Sequence, residues 1–161
     1  MKNIGIEVKW AFIFAVMMLA WMFLEKSLGW HDALIDQHST MTNLVAIPAI
    51  LIYVLALLDK KKNYYKGQMT YLQGFLSGVV ISIIVAVLSP FTQYITIEYI
   101  TPEYFNNIIE HSVSTGLMTQ EAAEDYFNLK NYMVQSVIGA LIMGVITSAI
   151  VAIFTKSKKQ A

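Results

Sequence analysis

The chain contains no cysteine and no arginine, only three prolines, and few charges, at 14% of its 161 residues. Without cysteine, disulfide scaffolds, thiolate metal sites and cysteine nucleophiles are excluded together. A soluble domain carries about a quarter charged residues, so a hydrated globular surface is hard to build from this composition. The 11 Lys are balanced by 11 acidic residues, and the resulting net charge of zero leaves no basic footprint for nucleic acid. A phosphate loop, a nucleophile elbow, an HExxH helix and a dinucleotide fingerprint are all missing, so no enzyme signature is present. What is abundant is apolar: 57% of residues, with a mean hydropathy of +0.55. A chain this apolar does not stay solvated and disordered. Its length suits one compact domain or a handful of membrane spans, and the composition selects the spans.

Four apolar stretches place those spans at about 9–29, 41–58, 71–95 and 132–154. The first holds Trp10 to Leu24 without a charged residue, and Trp10 and Trp30 stand about 30 Å apart on a helix, matching two interfacial belts. A cleaved signal peptide would use Lys2 and Lys9 as its basic region. Ala20-Trp21-Met22 offers no small-x-small cleavage site, however, and an uncleaved span is expected. The second runs from Leu44 to Leu58, extended outward by Met41 and Thr42, with Pro48 near its start and Asp59-Lys60-Lys61-Lys62 as its stop. The third begins after Thr70, with Gln73 positioned to complete a capping box, and passes a kink at Ser89-Pro90. The fourth, Met133 to Phe154, has only Gln135, Ser136, Thr147 and Ser148 as polar members.

Charge assigns direction. Nine Lys (Lys2, Lys9, Lys60, Lys61, Lys62, Lys66, Lys156, Lys158 and Lys159) share one side with only Glu7 and Asp59. The other nine acids (Glu25, Asp32, Asp36, Glu98, Glu103, Glu110, Glu121, Glu124 and Asp125) share theirs with only Lys26 and Lys130. By the positive-inside rule both termini and the Lys-rich loop are cytoplasmic. The expected fold is therefore an all-α membrane protein of four transmembrane helices, one domain over 1–161, with a short external helical hairpin at about 101–130 between helices 3 and 4. In that hairpin Thr101-Pro102-Glu103 reads as a helix start, Gly116 as its end and Thr119 as the next cap, the second helix running on into the fourth span. The apolar stripe Tyr104, Phe105, Ile108, Ile109 and Val113 reads first as burial against the bundle, and second as a docking surface.

Small residues recur every fourth position as Gly74, Gly78, Ser82 and Ala86, and again as Ser136, Ala140, Gly144, Ser148 and Ala152. Such rows let helix backbones approach closely, and packing of the two helices within one chain is favoured over an oligomer interface or a narrow path. The stretches from Gly78 to Ala86 and from Gly144 to Ala152 also resemble each other, as an inverted repeat would require. Because apolar alphabets are small and the first two spans show no such relation, that likeness is read as chance. His31, Asp32, Asp36 and His38 come nearest to a metal-ligating set, but their spacing fits no closed motif, and neither metal nor cofactor is expected. Glu25 is the acid nearest a span interior; it is expected to snorkel outward beside Lys26, or to pair with Asn43, Gln93 or Gln135 at the same level.

The strings IGIEVKW (4–10), EKSLGWHD (25–32), TNLVAIPAILIYVLALLDKK (42–61), MTYLQGF (69–75), LSPFTQYI (88–95), ITPEYF (100–105) and AEDYFNLKNYMVQSVIGALIMG (123–144) cover much of the chain. Through them it resembles a bacterial family of small integral membrane proteins catalogued as domain of unknown function 4199. The resemblance implies four helices in a bacterial inner membrane and brings no catalytic residue, ligand or partner. The functional expectation is thus a non-enzymatic accessory or interaction protein in contact with the lipid bilayer, with a protein partner or a second copy of itself. A small oligomeric transporter or channel is the alternative, and a membrane enzyme with an external His/Asp metal site comes third.

Overall fold

The computed structural model describes residues 4–157. Lys2, Lys158 and Lys159, which enter the charge count above, lie outside the described residues. The chain opens with α1 (Gly5–Ser27), turns, and enters α2 (Ile35–Met41). A 3-10 turn at Thr42–Val45 carries α2 directly into α3 (Ala46–Asn63), so the two form one apolar body. Then come α4 (Tyr71–Ile95), which closes in a π-helical turn at Thr96–Ile100, the short pair α5 (Tyr104–Ser114) and α6 (Gln120–Tyr126), and α7 (Leu129–Thr155). No strand occurs among the described residues. Among the described residues four helical bodies are long and apolar enough to cross a membrane: α1, α2–α3, α4 with its π turn, and α7. Their outward faces carry residues such as Phe154, Ile47 and Phe91, at 79%, 69% and 67% exposure. Helices tolerate that surroundings in lipid because their backbone polar groups are satisfied internally.

Local chemistry accounts for the helix ends. The Thr70 backbone N–H donates to Gln73 Oε1 at 2.8 Å while the Gln73 N–H donates to Thr70 Oγ1 at 3.3 Å, a reciprocal capping box that starts α4. Pro90 cannot supply the N–H that would bond to Ala86. Ser89 Oγ donates to the Ala86 carbonyl at 2.9 Å in its place, and Ser136 Oγ of α7 donates in turn to Ser89 Oγ at 3.2 Å, so α4 continues past the proline. Two expectations for the 101–130 segment are corrected. Thr101 does not cap α5: it is buried, and its carbonyl accepts the Tyr104 N–H at 3.1 Å in a turn that delays the helix to Tyr104. Nor does α6 run into α7. Phe127 and Asn128 leave helical geometry, and Asn128 becomes a new N-cap that accepts the Asn131 N–H at 3.0 Å.

The largest interface joins α4 and α7, which cross antiparallel through their small residues. A Cβ built on Gly78 would lie 2.6 Å from Ser148 Cβ, and one built on Gly144 would lie 2.6 Å from Ser82 Cβ. Each glycine is the slot for the other helix's serine, and each serine caps its own helix internally, Ser82 Oγ donating to Gly78 O at 2.9 Å and Ser148 Oγ to Gly144 O at 2.6 Å. The two similar stretches therefore meet at their Gly-x-x-x-Ser steps, and the crossing is locally two-fold. Gly74 sits against Ala152 one turn further on. From α3, Tyr53 reaches the same point, its hydroxyl 2.8 Å from Ser82 Oγ, and Phe14 of α1 packs edge-on against the Tyr53 ring at 6.0 Å.

The Lys-rich segments gather at one end of the bundle. Met69 and Ser157 exchange hydrogen bonds, the Met69 N–H donating to Ser157 Oγ at 2.9 Å and the Ser157 N–H to Met69 O at 2.8 Å. Lys9 and the Trp10 indole both donate to Asp59, the latter at 2.7 Å. Deeper in, Lys60 Nζ lies 3.0 Å from Glu7 Oε2 and 2.9 Å from Oε1, Ser77 Oγ donates to Oε1 at 2.7 Å, and all three residues are buried. This ion pair pins the start of α1 and the end of α3 to the first turns of α4.

Two outcomes follow from this packing. Gly78→Ala and Gly144→Ala each force the opposing serine aside and cost about 1–3 kcal/mol, whereas Gly139→Ala, whose Cβ meets nothing within 4 Å, leaves stability unchanged or raised. Thermal unfolding of the detergent-purified variants measures this. By the same measurement Lys60→Met strips the cation from a buried carboxylate and costs about 3–5 kcal/mol, and the Glu7→Met/Lys60→Met double variant recovers most of the loss.

Candidate functional site

At the opposite end the turn after α1 builds a polar site. The helix runs out at Ser27, and Gly29, at φ +80°, takes the left-handed conformation that allows a tight reversal. The Trp30 N–H donates to the Glu25 carbonyl at 3.1 Å and the Leu34 N–H to the Gly29 carbonyl at 2.7 Å, which folds His31 back over the end of α1. His38 follows seven residues later in sequence, on α2. Glu25 in the last turns of α1, His31 in the reversal and His38 on α2 thus converge.

The Glu25 carboxylate is completely enclosed. The Trp21 indole N–H, one turn earlier on α1, donates to Oε1, and His31 Nε2 donates to Oε2 at 2.9 Å. His38 Nδ1 lies 3.5 Å from the same Oε2. Tyr104, the first residue of α5, closes the site from above, with its ring centroid 5.1 Å from that of His31 and 5.2 Å from that of His38. Its hydroxyl lies 3.2 Å from that of Tyr132 on α7. Burial, reinforced by the neighbouring Tyr132, pushes the Tyr104 phenol well above its ordinary range, so it remains a neutral hydroxyl. Asn107 Nδ2 donates to the His31 carbonyl at 2.9 Å and ties α5 to the reversal. Beside the imidazoles lies a cavity of about 180 Å³, lined among others by Thr42, Gln93, Thr96, Thr101 and Tyr132. The π-helical turn places Thr96 against it, in keeping with the frequent use of such turns at functional sites.

Several sequence expectations are rearranged. Glu25 does not snorkel: the reversal buries it under His31. Its partners are Trp21, His31, His38 and the Thr42 hydroxyl rather than Asn43, Gln93 or Gln135. Asn43 donates to the Ser39 and Thr40 carbonyls, at 2.9 and 3.2 Å, and Gln135 accepts from the Tyr126 hydroxyl at 3.4 Å, exposed. Gln93 reaches the cavity but not the carboxylate. Of the four residues weighed as metal ligands, His31 and His38 come together, while Asp32 and Asp36 stay on the exposed side, Asp32 Oδ1 accepting the Ala33 N–H. The signal missed in the sequence was Gly29, whose reversal converts a separation of six residues into a contact.

Removing the carboxylate leaves Trp21 and His31 without an acceptor. Glu25→Leu is expected to cost about 1–3 kcal/mol in thermal unfolding, and Asp36→Asn no more than about 0.5 kcal/mol.

No curated protein and no solved structure matches the chain. The family model that does match, over residues 9–157, is described as a protein of unknown function (DUF4199), and the chain belongs to that family.

Proposed function

We propose that the chain is a non-enzymatic protein of the bacterial cytoplasmic membrane, both termini in the cytoplasm, that acts as an accessory or interaction protein through its external acidic end. One observation carries the choice over a transporter or channel. The small-residue rows, the natural lining for a path, are filled by each other: Gly78 by Ser148 and Gly144 by Ser82, with Tyr53 at the same crossing. Polar groups in this seam are spent on their own helices' carbonyls rather than aimed at a lumen. The orientation rests on the positive-inside rule, since the Lys-bearing segments share one end of the bundle while α5 and α6, with Glu110, Glu121, Glu124 and Asp125 exposed, occupy the other. In the apolar stripe of α5 Tyr104 is buried and Phe105, Ile108, Ile109 and Val113 are half-buried, so interaction through this end draws first on its acidic rim and on Leu117 and Tyr126, which are exposed.

The natural absence of cysteine provides the test. Single cysteines at Ala86, Ala140, Thr115 and Lys62 are treated with a membrane-impermeant thiol reagent in intact cells and in inverted vesicles. Thr115→Cys is expected to label only in cells, Lys62→Cys only in vesicles, and Ala86→Cys and Ala140→Cys in neither. Labelling at either seam position overturns the accessory reading in favour of transport, and exchange of the Thr115 and Lys62 patterns overturns the orientation.

A further inference from the structure

The Glu25 carboxylate is enclosed, yet only Oε1 is held by a fixed donor on its own helix, Trp21. Oε2 faces two imidazoles. His38 Nδ1 stands 3.5 Å away, too far for a good hydrogen bond. Among the described residues it is also one of two buried ring nitrogens, with His31 Nδ1, that have no hydrogen-bond partner. Native structures rarely leave such atoms unsatisfied, and each one calls for an explanation. One ligand atom from each of Glu25, His31 and His38 lies within 4.8 Å of the others. We propose that these three side chains bind a divalent first-row transition-metal ion, zinc being the simplest case.

The donor set selects the class of ion. Two imidazoles and one carboxylate suit Zn²⁺, Fe²⁺, Co²⁺ or Ni²⁺, whereas Mg²⁺ and Ca²⁺ favour shells made of oxygen. Ligands about 2.0–2.1 Å from a tetrahedral zinc stand about 3.4 Å apart. The separation of Glu25 Oε2 from His38 Nδ1 already meets that requirement, the contact to His31 Nε2, at 2.9 Å, opens by about half an ångström, and the two imidazole nitrogens, within 4.8 Å of each other, draw together onto the ion. His31 then carries its proton on Nδ1, and Nε2 presents a lone pair. Charge favours the ion as well. Imidazoles supply no permanent counter-charge to the enclosed carboxylate, and a divalent cation offsets it. Part of a supporting shell is present: Trp21 orients the carboxylate and Asn107 holds the backbone of His31, while His31 Nδ1 has no protein acceptor. Three protein ligands leave a fourth position, and the adjoining cavity of about 180 Å³, with Thr42, Gln93 and Thr101 on its wall, has room for a water or a small anion there. The site does not depend on which side of the membrane this end faces.

The test uses the full chain purified in detergent through a tag without histidine, stripped with a chelator, exposed to Zn²⁺, desalted and assayed for metal by mass spectrometry. One zinc per chain is expected. Glu25→Gln and His38→Gln are each expected to weaken binding by at least about 100-fold, beyond what outer-shell changes usually cause, while Asp32→Asn and Asp36→Asn bind as the natural chain does. A natural chain that emerges without zinc, or zinc that survives the Glu25→Gln/His38→Gln double variant, overturns the proposal. Should the variants fail to fold, Co²⁺ on the natural chain decides. Visible absorption bands of a tetrahedral N/O site, together with quenching of Trp21 fluorescence that Trp21→Phe removes, support it; a Co²⁺-treated chain with neither signal overturns it.

Discussion

Everything in this bundle is arranged around the close approach of α4 and α7. Association of helices in lipid cannot draw on the hydrophobic effect that assembles soluble cores, because acyl chains are as apolar as leucine. Contact has to come from backbones brought near enough for dispersion to accumulate, and that is what the reciprocal Gly78–Ser148 and Gly144–Ser82 steps provide. The serines turn their hydroxyls back onto their own helices, so the seam is polar in composition yet self-satisfied. With that pair in place, Tyr53 of α3 and Phe14 of α1 have a fixed surface to pack on.

The two ends of the bundle use charge differently. At the Lys-rich end Glu7, Lys60 and Ser77 form a buried ion pair with a hydroxyl donor, and its role is to fasten three helices together. At the acidic end Glu25 is equally buried, but it faces two imidazoles and a cavity instead of a lysine. A buried Lys–Glu pair balances its own charge. A carboxylate facing imidazoles has no such permanent counter-charge, since a ring balances it only when protonated.

Much of the architecture could be read in the chain. Long uncharged runs, the capping box at Thr70 and Gln73, the four-residue spacing of small side chains and the partition of Lys from acids are all properties of neighbouring residues, visible without a fold. The segment from 101 to 130 was only half legible. Thr119 and Gly116 act where their chemistry suggests, but Thr101 is buried in a turn, and Asn128 interrupts a helix that periodicity would have continued. In both places a side chain or carbonyl competes locally for the backbone, which hydrophobic periodicity does not register.

The amino-acid sequence by itself determined that this is a four-helix membrane protein, because the hydrocarbon thickness sets the length of an apolar run and burial in lipid tolerates almost no charge. It also determined which helix faces could come close, since only small residues permit it. The tertiary structure alone decided which partners those faces and charges would find. Whether Glu25 snorkels or is enclosed depends on one left-handed glycine that turns the chain back, and on α5 arriving from far along the chain, 76 residues from His31 to Asn107, to set Tyr104 and Asn107 over the histidines. Helical spacing carries no information about either event, because both depend on where chain reversals point rather than on which residues share a face.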